Sequence, residues 1–209
     1  MTYLILDTST DLCLIALAKG DQIVAEEIFP HGNLLSNRLI PTIQSFVAAH
    51  CKSPKNLAGI ALGIGPGSYT GTRVGAAVAK SLAFGLEIPL KTFHSPLAFL
   101  PDKEGSFAFI IPTRSGQFYL LSGRLASTHV DQENSSLFSA EEIEKFENVD
   151  FVICASIDSL PLMLKKKTHF PPIPNFRLLA YFLSDQSPPL LENTELLYLN
   201  HPSAQGTGH

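Results

Sequence analysis

Short apolar runs separated by turn residues predict three β-strands at the start of the chain. The runs cover residues 3–6, 12–18 and 22–29, and an Asp-Thr-Ser-Thr segment and Gly20-Asp21 separate them. Runs of this length bounded by turn formers are typical of strands joined by tight connections. The pattern therefore predicts a meander of three antiparallel strands.

Two later segments of the first half repeat apolar residues at helical spacing. The first covers residues 33–50, where Asn33 is a candidate N-cap and Pro41 marks a kink or the helix start. The second covers residues 70–84. The apolar positions of the first helix are Leu35, Leu39, Ile43, Phe46 and Val47.

Each of these predicted helices is followed by a predicted strand, at residues 57–62 and 88–92. The first of the two is an uninterrupted apolar run, which is typical of a buried parallel strand. The first half therefore reads β-β-β-α-β-α-β, and this order predicts an α/β fold with a mixed sheet.

The second half of the chain is less regular. Residues 107–111 and 117–124 predict a strand pair, 151–154 predict a further strand, and 140–147 and 175–183 predict short helices. Prolines cluster after residue 170 and mark loops. We place a domain boundary near residue 100, which gives domains over 1–100 and 101–209.

The charge of the chain is low and unevenly distributed. Charged residues make up 16% of the chain and the net charge is -4, whereas ordinary globular proteins carry about 25% charged residues. Residues 1–100 hold seven basic and six acidic side chains, so this half is the better place for an apolar association surface. Because a nucleic-acid binder usually has a basic surface, any contact with nucleic acid should run through a partner.

The cysteines and the apolar runs indicate a cytoplasmic chain without a membrane segment. Cys13, Cys51 and Cys154 are scattered and odd in number, which argues against a disulfide framework or a cysteine-rich zinc site. Asp7 interrupts the first apolar run, so no secretory leader is expected.

The turn after the first strand, Asp7-Thr8-Ser9-Thr10, is the first candidate site. A carboxylate at a strand end with hydroxyl groups behind it can hold hydrated Mg²⁺ or contact a phosphate. The same residue types are also ordinary turn formers, so both interpretations stay open.

A glycine-rich segment between a predicted strand and a predicted helix, residues 63–73, is the second candidate. Backbone N–H groups at such a junction can hold an anion, and Gly65, Gly67 and Ser68 are the candidate contacts. The segment is not a P-loop, because no Gly-Lys-Ser/Thr ends it, and Ser68 replaces the last glycine of the dinucleotide pattern. Tight loop packing alone is the other interpretation.

The helix that follows carries a stripe of small residues, Gly71, Gly75 and Ala79, and a second apolar stripe on another face. A helix that packs only on a sheet needs one apolar stripe. Burial inside the chain explains the pattern equally well, but the low charge of this half favours association with another subunit. Together with Leu35, Leu39 and Ile43, the three small residues form the predicted partner interface.

These segments carry a family resemblance. Residues 6–10, His31 with Leu39 and Pro41, and above all residues 63–75 resemble the TsaB (YeaZ) family, over roughly residues 1–93. Beyond that range, residues 113–119 are similar to the family's Asp-Ala-Arg-x-Gly-Glu-Val-Tyr segment. Residues 197–199 are similar to the family's closing segment.

The resemblance implies a fold and a function. The fold is the actin-like ATPase superfold, with two ribonuclease-H-like lobes, mixed β-sheets and a reduced second lobe. The function is that of a non-catalytic scaffold and activator of TsaD, which together with the ATPase TsaE installs threonylcarbamoyl on adenosine 37 of tRNA. TsaD carries a metal-binding H-x-x-x-H pattern that is absent from this sequence. The expected partners are TsaD in a heterodimer and TsaE, or a second copy when the chain is alone, with tRNA bound only through the complex.

The resemblance also bears on the candidate sites. It implies that Asp7, Thr8, Ser9, Gly65, Gly67 and Ser68 form a degenerate nucleotide site, or one shared at an interface. The chain would then have no cofactor of its own, or ATP or ADP with Mg²⁺ at the interface with TsaD. Thr113 stands where the family commonly has Asp, and Gly32-Asn33 replaces the usual Ser-Glu after His31.

Two other functions compete with this interpretation. An active ATP-using enzyme of the actin and sugar-kinase superfold would need a second acidic phosphate loop, and Thr113 speaks against one. A metallopeptidase would need a histidine pair on a helix, and the seven histidines contain neither H-x-x-x-H nor H-E-x-x-H.

Overall fold

The first half of the chain forms one mixed five-stranded sheet. The computed structural model describes residues 1–30, 32, 35–113, 115–126, 129–146, 148–155, 157–185 and 196. The strands of this sheet are β1 (Thr2–Asp7), β2 (Leu12–Lys19), β3 (Gln22–Pro30), β4 (Gly59–Gly63) and β5 (Leu90–Phe93). They lie in the order β3-β2-β1-β4-β5, with β1 to β3 antiparallel and β4 and β5 parallel to β1. The predicted meander and the two later strands are confirmed.

The second half repeats this arrangement. Its strands are β6 (Gly105–Pro112), β7 (Phe118–Ala126), β8 (His129–Phe138), β9 (Phe151–Ile153) and β10 (Thr168–Phe170). They lie in the order β8-β7-β6-β9-β10, again with three antiparallel strands followed by two parallel ones. Each half is thus a ribonuclease-H-like lobe, and the predicted actin-like ATPase superfold is confirmed.

The second lobe is reduced in its helices, whereas its sheet has all five strands. The first lobe has α1 (Leu35–Cys51) and α2 (Tyr69–Leu86) between its later strands. In the second lobe, the described residues of the first of these connections form α3 (Ala140–Ile143) and a 3₁₀ turn, and those of the second form two 3₁₀ turns. The helix α4 (Arg177–Asp185) follows β10. Within the described ranges, no helix has the length and apolar character needed to cross a membrane.

The two long helices follow their predictions closely. α1 continues through Pro41, and its predicted N-cap, Asn33, lies outside the described residues. Ser68 is the N-cap of α2, and its Oγ accepts a hydrogen bond from the Gly71 N–H at 3.2 Å. α2 ends where Glu87 adopts a left-handed conformation with φ of 56°. The two helices cover the outer face of the first sheet.

The largest apolar cluster lies between the two sheets. It contains Ile5 and Leu14 from the first sheet, Phe107 and Phe151 from the second, and Leu179 from α4. All five side chains are buried. Burial of apolar surface stabilises by about 25 cal/mol per Å², so this shared core is what holds the two lobes together.

Polar contacts also join the two halves. The Asn175 N–H donates to the Ala98 carbonyl oxygen at 2.6 Å, and Asn175 Nδ2 donates to the Leu100 carbonyl oxygen at 2.9 Å. The Tyr119 hydroxyl lies 3.4 Å from His94 Nδ1. The five strands of one sheet precede residue 100 and those of the other follow it. The division into domains over 1–100 and 101–209 stays a prediction.

Two strands of the second sheet are not indicated by the sequence. β8 contains His129, Asp131, Gln132 and Glu133, so its composition lacks the apolar alternation that indicates a strand. Among the described strands it pairs with β7 alone, at the edge of the sheet. β10 has three residues, which is too short for a periodic signal.

The small residues of α2 face the turn that follows β1 in the same chain. A Cβ atom on Gly71 would overlap the carbonyl oxygen of Thr8, and one on Gly75 would overlap the Thr8 hydroxyl. Ala79 is fully buried. The stripe therefore belongs to the core of the chain itself and is not exposed to a second subunit. Burial inside the chain is the other interpretation that the sequence left open.

Replacing Gly71 by Ala tests this packing. The added Cβ atom would meet backbone, which cannot rotate away, so we expect Gly71→Ala to lower the free energy of unfolding by about 1 to 3 kcal/mol. Gly85→Ala in the same helix is the matched control, because a Cβ atom at this position would have nothing within 4 Å. That change should stabilise by up to about 1 kcal/mol through helix propensity. Equal effects in chemical denaturation would contradict the proposed packing.

Candidate functional site

The Asp7–Thr10 turn is held by hydrogen bonds within the first lobe. Asp7 Oδ1 accepts from the Ser9 N–H at 2.7 Å, which closes the turn directly after β1. The Thr8 hydroxyl donates to the Gly71 carbonyl oxygen at 2.7 Å. The turn is thereby fixed to the start of α2, and the structure brings the two candidate segments of the sequence into direct contact.

Asp7 is buried to an unusual degree for a carboxylic acid. Its side chain is 1% exposed, and its Oδ2 atom has no hydrogen-bond partner of acceptable geometry. Burial raises the pKa of Asp7, and the nearby hydroxyl of Ser95, together with the amide and hydroxyl of Ser9, offsets only part of that rise. Burial disfavours the charged form, so this carboxyl is poorly suited to hold a hydrated cation.

Two N–H groups of the glycine-rich loop donate hydrogen bonds within the chain. The Ser68 N–H donates to the Ser9 carbonyl oxygen at 2.6 Å, and the Gly65 N–H donates to Ser95 Oγ at 2.9 Å. A Cβ atom on Gly67 would overlap the Ser9 carbonyl group. The close approach of this loop to the turn explains its glycines without reference to a ligand.

The six predicted nucleotide-site residues are therefore neighbours, but they do not fit a nucleoside phosphate with Mg²⁺. A phosphate at a strand–helix junction is held by free backbone N–H groups, and the amides of Gly65 and Ser68 already have acceptors. A magnesium site needs an accessible carboxylate oxygen, and Asp7 is covered. No step of a reaction can be assigned to such a group here.

A cleft of about 750 Å³ lies between the two lobes, beside the glycine-rich loop. The first lobe contributes the turn residues from Ser9 to Leu12 and the loop residues from Pro66 to Thr70. The second lobe contributes the end of β6, together with Ala155 and Pro172. No sequence pattern indicates this cleft, because its walls come from segments that are far apart along the chain.

The predicted partner residues lie inside the chain. Leu35, Leu39 and Ile43 are buried in the cluster beneath α1 and α2, in the same layer as the small-residue stripe. The outward face of these helices instead exposes Phe84, with 88% of its surface accessible, and Ile40, with 46%. Sequence reasoning missed these two residues, although their positions opposite the buried stripe follow from helical periodicity. That α1 and α2 form a partner surface stays a prediction.

The described residues offer little to other chemistry. Among them, no group of three or more His, Cys, Asp or Glu side chains is placed to hold a metal ion. The three cysteines are buried and form no disulfide with one another. Burial, with the negative charge of Asp7 nearby, raises the pKa of the Cys13 thiol to about 12, so it is not the thiolate that nucleophilic catalysis requires. The Thr113 hydroxyl donates to the Gln117 carbonyl oxygen at 2.9 Å and thus stabilises the turn between β6 and β7.

Sequence comparisons connect the chain to tRNA modification proteins. The family model described as "TsaD: tRNA N6-adenosine threonylcarbamoyltransferase" matches residues 32–151. The TsaB protein of Bacillus subtilis, described as a tRNA threonylcarbamoyladenosine biosynthesis protein, is 35% identical over 122 residues, 57% of this chain and 53% of the relative. Its counterpart in Escherichia coli is 34% identical over 91 residues, 43% of this chain and 38% of the relative. The chain thus matches about half the length, or less, of these curated relatives.

Two solved structures from Pseudomonas aeruginosa have a similar fold. One is a protein described as similar to peptidase YeaZ, with a TM-score of 0.75 and 19% identity over 94% of this chain and 97% of the other. The second is YeaZ, with a TM-score of 0.69 and 21% identity over 88% of this chain and 92% of the other. At these identities the likeness concerns the fold.

The burial of Asp7 predicts a pH-dependent effect of Asp7→Asn. Below about pH 3 the carboxyl is mostly neutral in both the folded and the unfolded chain. As pH rises, the unfolded chain ionises first, because the pKa is raised in the folded chain, and stability falls. Asn carries no charge, so the free energy of unfolding of the variant relative to the wild type should increase between about pH 4 and neutral pH.

Urea denaturation at several pH values measures this difference. Asp11→Asn is the matched control, because it removes a carboxylate from an exposed position four residues further along the chain. A stability difference for Asp7→Asn that stays constant across the range would contradict a burial penalty on the charged carboxyl.

Proposed function

The chain belongs to the TsaB (YeaZ) family, within the group covered by the tRNA N6-adenosine threonylcarbamoyltransferase model, and on this basis we propose that it is a non-catalytic scaffold. Its partner is TsaD, which it activates in installing threonylcarbamoyl on adenosine 37 of tRNA. The proposed complex includes the ATPase TsaE and acts in the cytoplasm.

The closed glycine loop is the observation that carries the non-catalytic assignment. In an ATP-using enzyme this loop would present free N–H groups and an accessible carboxylate to the phosphates and their metal ion. Here Asp7 is 1% exposed and the Ser68 N–H is bonded to Ser9. The loop therefore supports the architecture of the lobe rather than a reaction, and this disfavours the competing ATP-using enzyme.

The outer face of α1 and α2 is the surface that we assign to TsaD. It exposes an aromatic side chain, Phe84, and an aliphatic one, Ile40, in the half of the chain with few charges. A contiguous exposed apolar patch is typical of an association surface, and we assign both side chains to such a patch. Because the net charge is -4, the chain alone offers little neutralisation of phosphates, and tRNA should bind through the complex.

Reconstitution tests this proposal directly. The full chain is incubated with ATP, threonylcarbamoyl-adenylate and unmodified tRNA, with and without TsaD and TsaE from the same cell. We expect no modified tRNA from the chain alone and a strong increase when it is added to TsaD and TsaE. Modified tRNA formed without TsaD would contradict the non-catalytic role, and no increase on addition would contradict the activating role.

Phe84→Ala tests the proposed surface. Truncation of a central aromatic residue at an interface often costs about 2 kcal/mol or more, so we expect TsaD affinity to fall about thirtyfold. The melting temperature should change little, because Phe84 is 88% exposed in the free chain. Titration calorimetry with TsaD and a thermal unfolding scan provide the two measurements.

Leu162→Ala is the matched control for this variant. Leu162 is also a large exposed apolar residue, with 70% of its surface accessible, but it lies in the second lobe. Its truncation should leave TsaD affinity unchanged. If Phe84→Ala binds TsaD as the wild type does, the partner surface lies elsewhere on the chain.

A further inference from the structure

One long stretch of the first lobe contains basic residues and no acidic ones. Residues 28–86 hold five Lys and Arg side chains and neither Asp nor Glu. The stretch therefore carries +5 in a chain of net charge -4, so the remaining residues together carry -9. The nearly balanced charge of residues 1–100 conceals this separation, because the six acids of that half all lie before residue 28 or after residue 86. The five cations are Arg38, Lys52, Lys55, Arg73 and Lys80.

All five cations are exposed and belong to the two outer helices of the first lobe and the turn that follows α1. We call this part of the chain, residues 35–56 and 69–86, the helical layer. Arg38 lies on α1, and Arg73 and Lys80 lie on α2. Along the chain the acid-free stretch is bounded by Glu27 on β3 and by Glu87, directly after α2. The helical layer itself thus supplies positive charges and no negative ones.

On α2 the positive charge lies on the same face as an exposed aromatic side chain. Arg73, Lys80 and Phe84 are separated by seven and four residues, which are spacings that place side chains on one face of a helix. All three side chains are exposed, and Phe84 has 88% of its surface accessible. The proposed partner surface is therefore apolar and positively charged at the same time.

This combination disfavours a second copy of the chain on the same face. A twofold dimer uses one patch on both subunits, so two helical layers of charge +5 would face each other. Like charges placed opposite one another suppress unsuitable partners, and opposite charges favour the correct one. The protein that fits this face therefore has acidic side chains around an apolar centre.

A nucleic acid fits the same face less well. Phosphates would neutralise the cations, but an exposed aliphatic side chain such as Ile40 gains nothing from a phosphate backbone. Ile40 lies on α1 two residues after Arg38 and is 46% exposed. The apolar part of the surface thus favours a protein.

We propose that the helical layer selects an acidic protein surface with an apolar centre, and that its positive charge prevents two copies of this chain from pairing through the same face. The inference rests on the proposed function, because it assigns the acidic surface to TsaD. The cations accelerate the encounter with TsaD, and the exposed apolar side chains maintain the contact once it has formed.

The salt dependence of association tests the electrostatic part. Stopped-flow measurements on the full chain and TsaD from the same cell compare about 0.05 M with about 0.5 M salt, because screening shortens the range of charge interactions. We expect the association rate constant to fall about tenfold or more at the higher concentration, with a smaller change in the dissociation rate constant. An association rate constant that is unchanged or rises with salt would overturn the proposal.

Lys80→Glu locates the effect on the helical layer. Its matched control is Lys166→Glu, which changes the net charge by the same amount at an exposed position of the second lobe. At low salt we expect Lys80→Glu to associate with TsaD about five- to tenfold more slowly than the control, with an unchanged melting temperature. Equal rate constants for the two variants would overturn the proposal, because total charge rather than the helical layer would then set the rate.

Sedimentation velocity of the chain without TsaD tests the exclusion of a second copy. At low salt and micromolar concentration we expect the wild type to sediment as a monomer. A wild-type dimer that Phe84→Ala converts to a monomer would show that two copies pair through this face despite their charge, and would overturn the exclusion.

Failure of this inference is distinguishable from failure of the proposed function. If the chain activates TsaD but associates at a rate independent of salt, the proposed function stands and electrostatic selection is wrong. If no complex with TsaD forms at any salt concentration, the proposed function is wrong and the assigned partner with it. If Lys80→Glu leaves TsaD association unchanged and weakens tRNA binding by the complex, the helical layer serves nucleic acid and the proposal is overturned.

Discussion

Close contact between the start of α2 and the turn after β1 determines how the first lobe is built. Four glycines spaced four residues apart line this contact, and a Cβ atom on any of them would overlap a residue of that turn. They are Gly63, Gly67, Gly71 and Gly75. The approach is close enough for the turn and the loop to satisfy one another's backbone groups, as in the bond from the Ser68 N–H to Ser9. The N–H groups of Gly65 and Ser68, which at such a junction could bind an anion, instead stabilise the contact between the loop and the rest of the first lobe.

The same contact fixes which way α2 faces. With its small residues against the turn, the helix directs Phe84 to the outside near its C-terminal end, while Tyr69 at its first turn lines the interlobe cleft. Fifteen residues separate the two, which is about 22 Å along a helix. The proposed partner surface and the cleft are thus distinct regions that share one helix.

Apolar periodicity predicts the strands and helices of the first lobe. It does not predict which residues pack against each apolar face. The runs of β1, β2 and β4 are long and bounded by turn formers, so they indicate strands in the correct order. Periodicity shows that a helix has an apolar face but does not identify what covers it. For this reason the sequence leaves open whether Gly71 and Gly75 face a second subunit or, as in the structure, the turn after β1. The candidate turn and loop are recognisable in the sequence, but the internal hydrogen bonds of the Gly65 and Ser68 amides are visible only in three dimensions. The cleft joins Ser9, Phe109 and Pro172, and no local pattern can reveal such a combination.

The apolar core shared by the two sheets has a consequence for motion. Opening the cleft by rotation of one lobe against the other would separate Ile5 and Leu14 from Phe107 and Phe151 and admit water to surfaces that are now dry. α4 adds to this resistance, because it comes from the second half of the chain and packs on β2 and β3 of the first. The shared core therefore opposes a hinge motion between the two lobes.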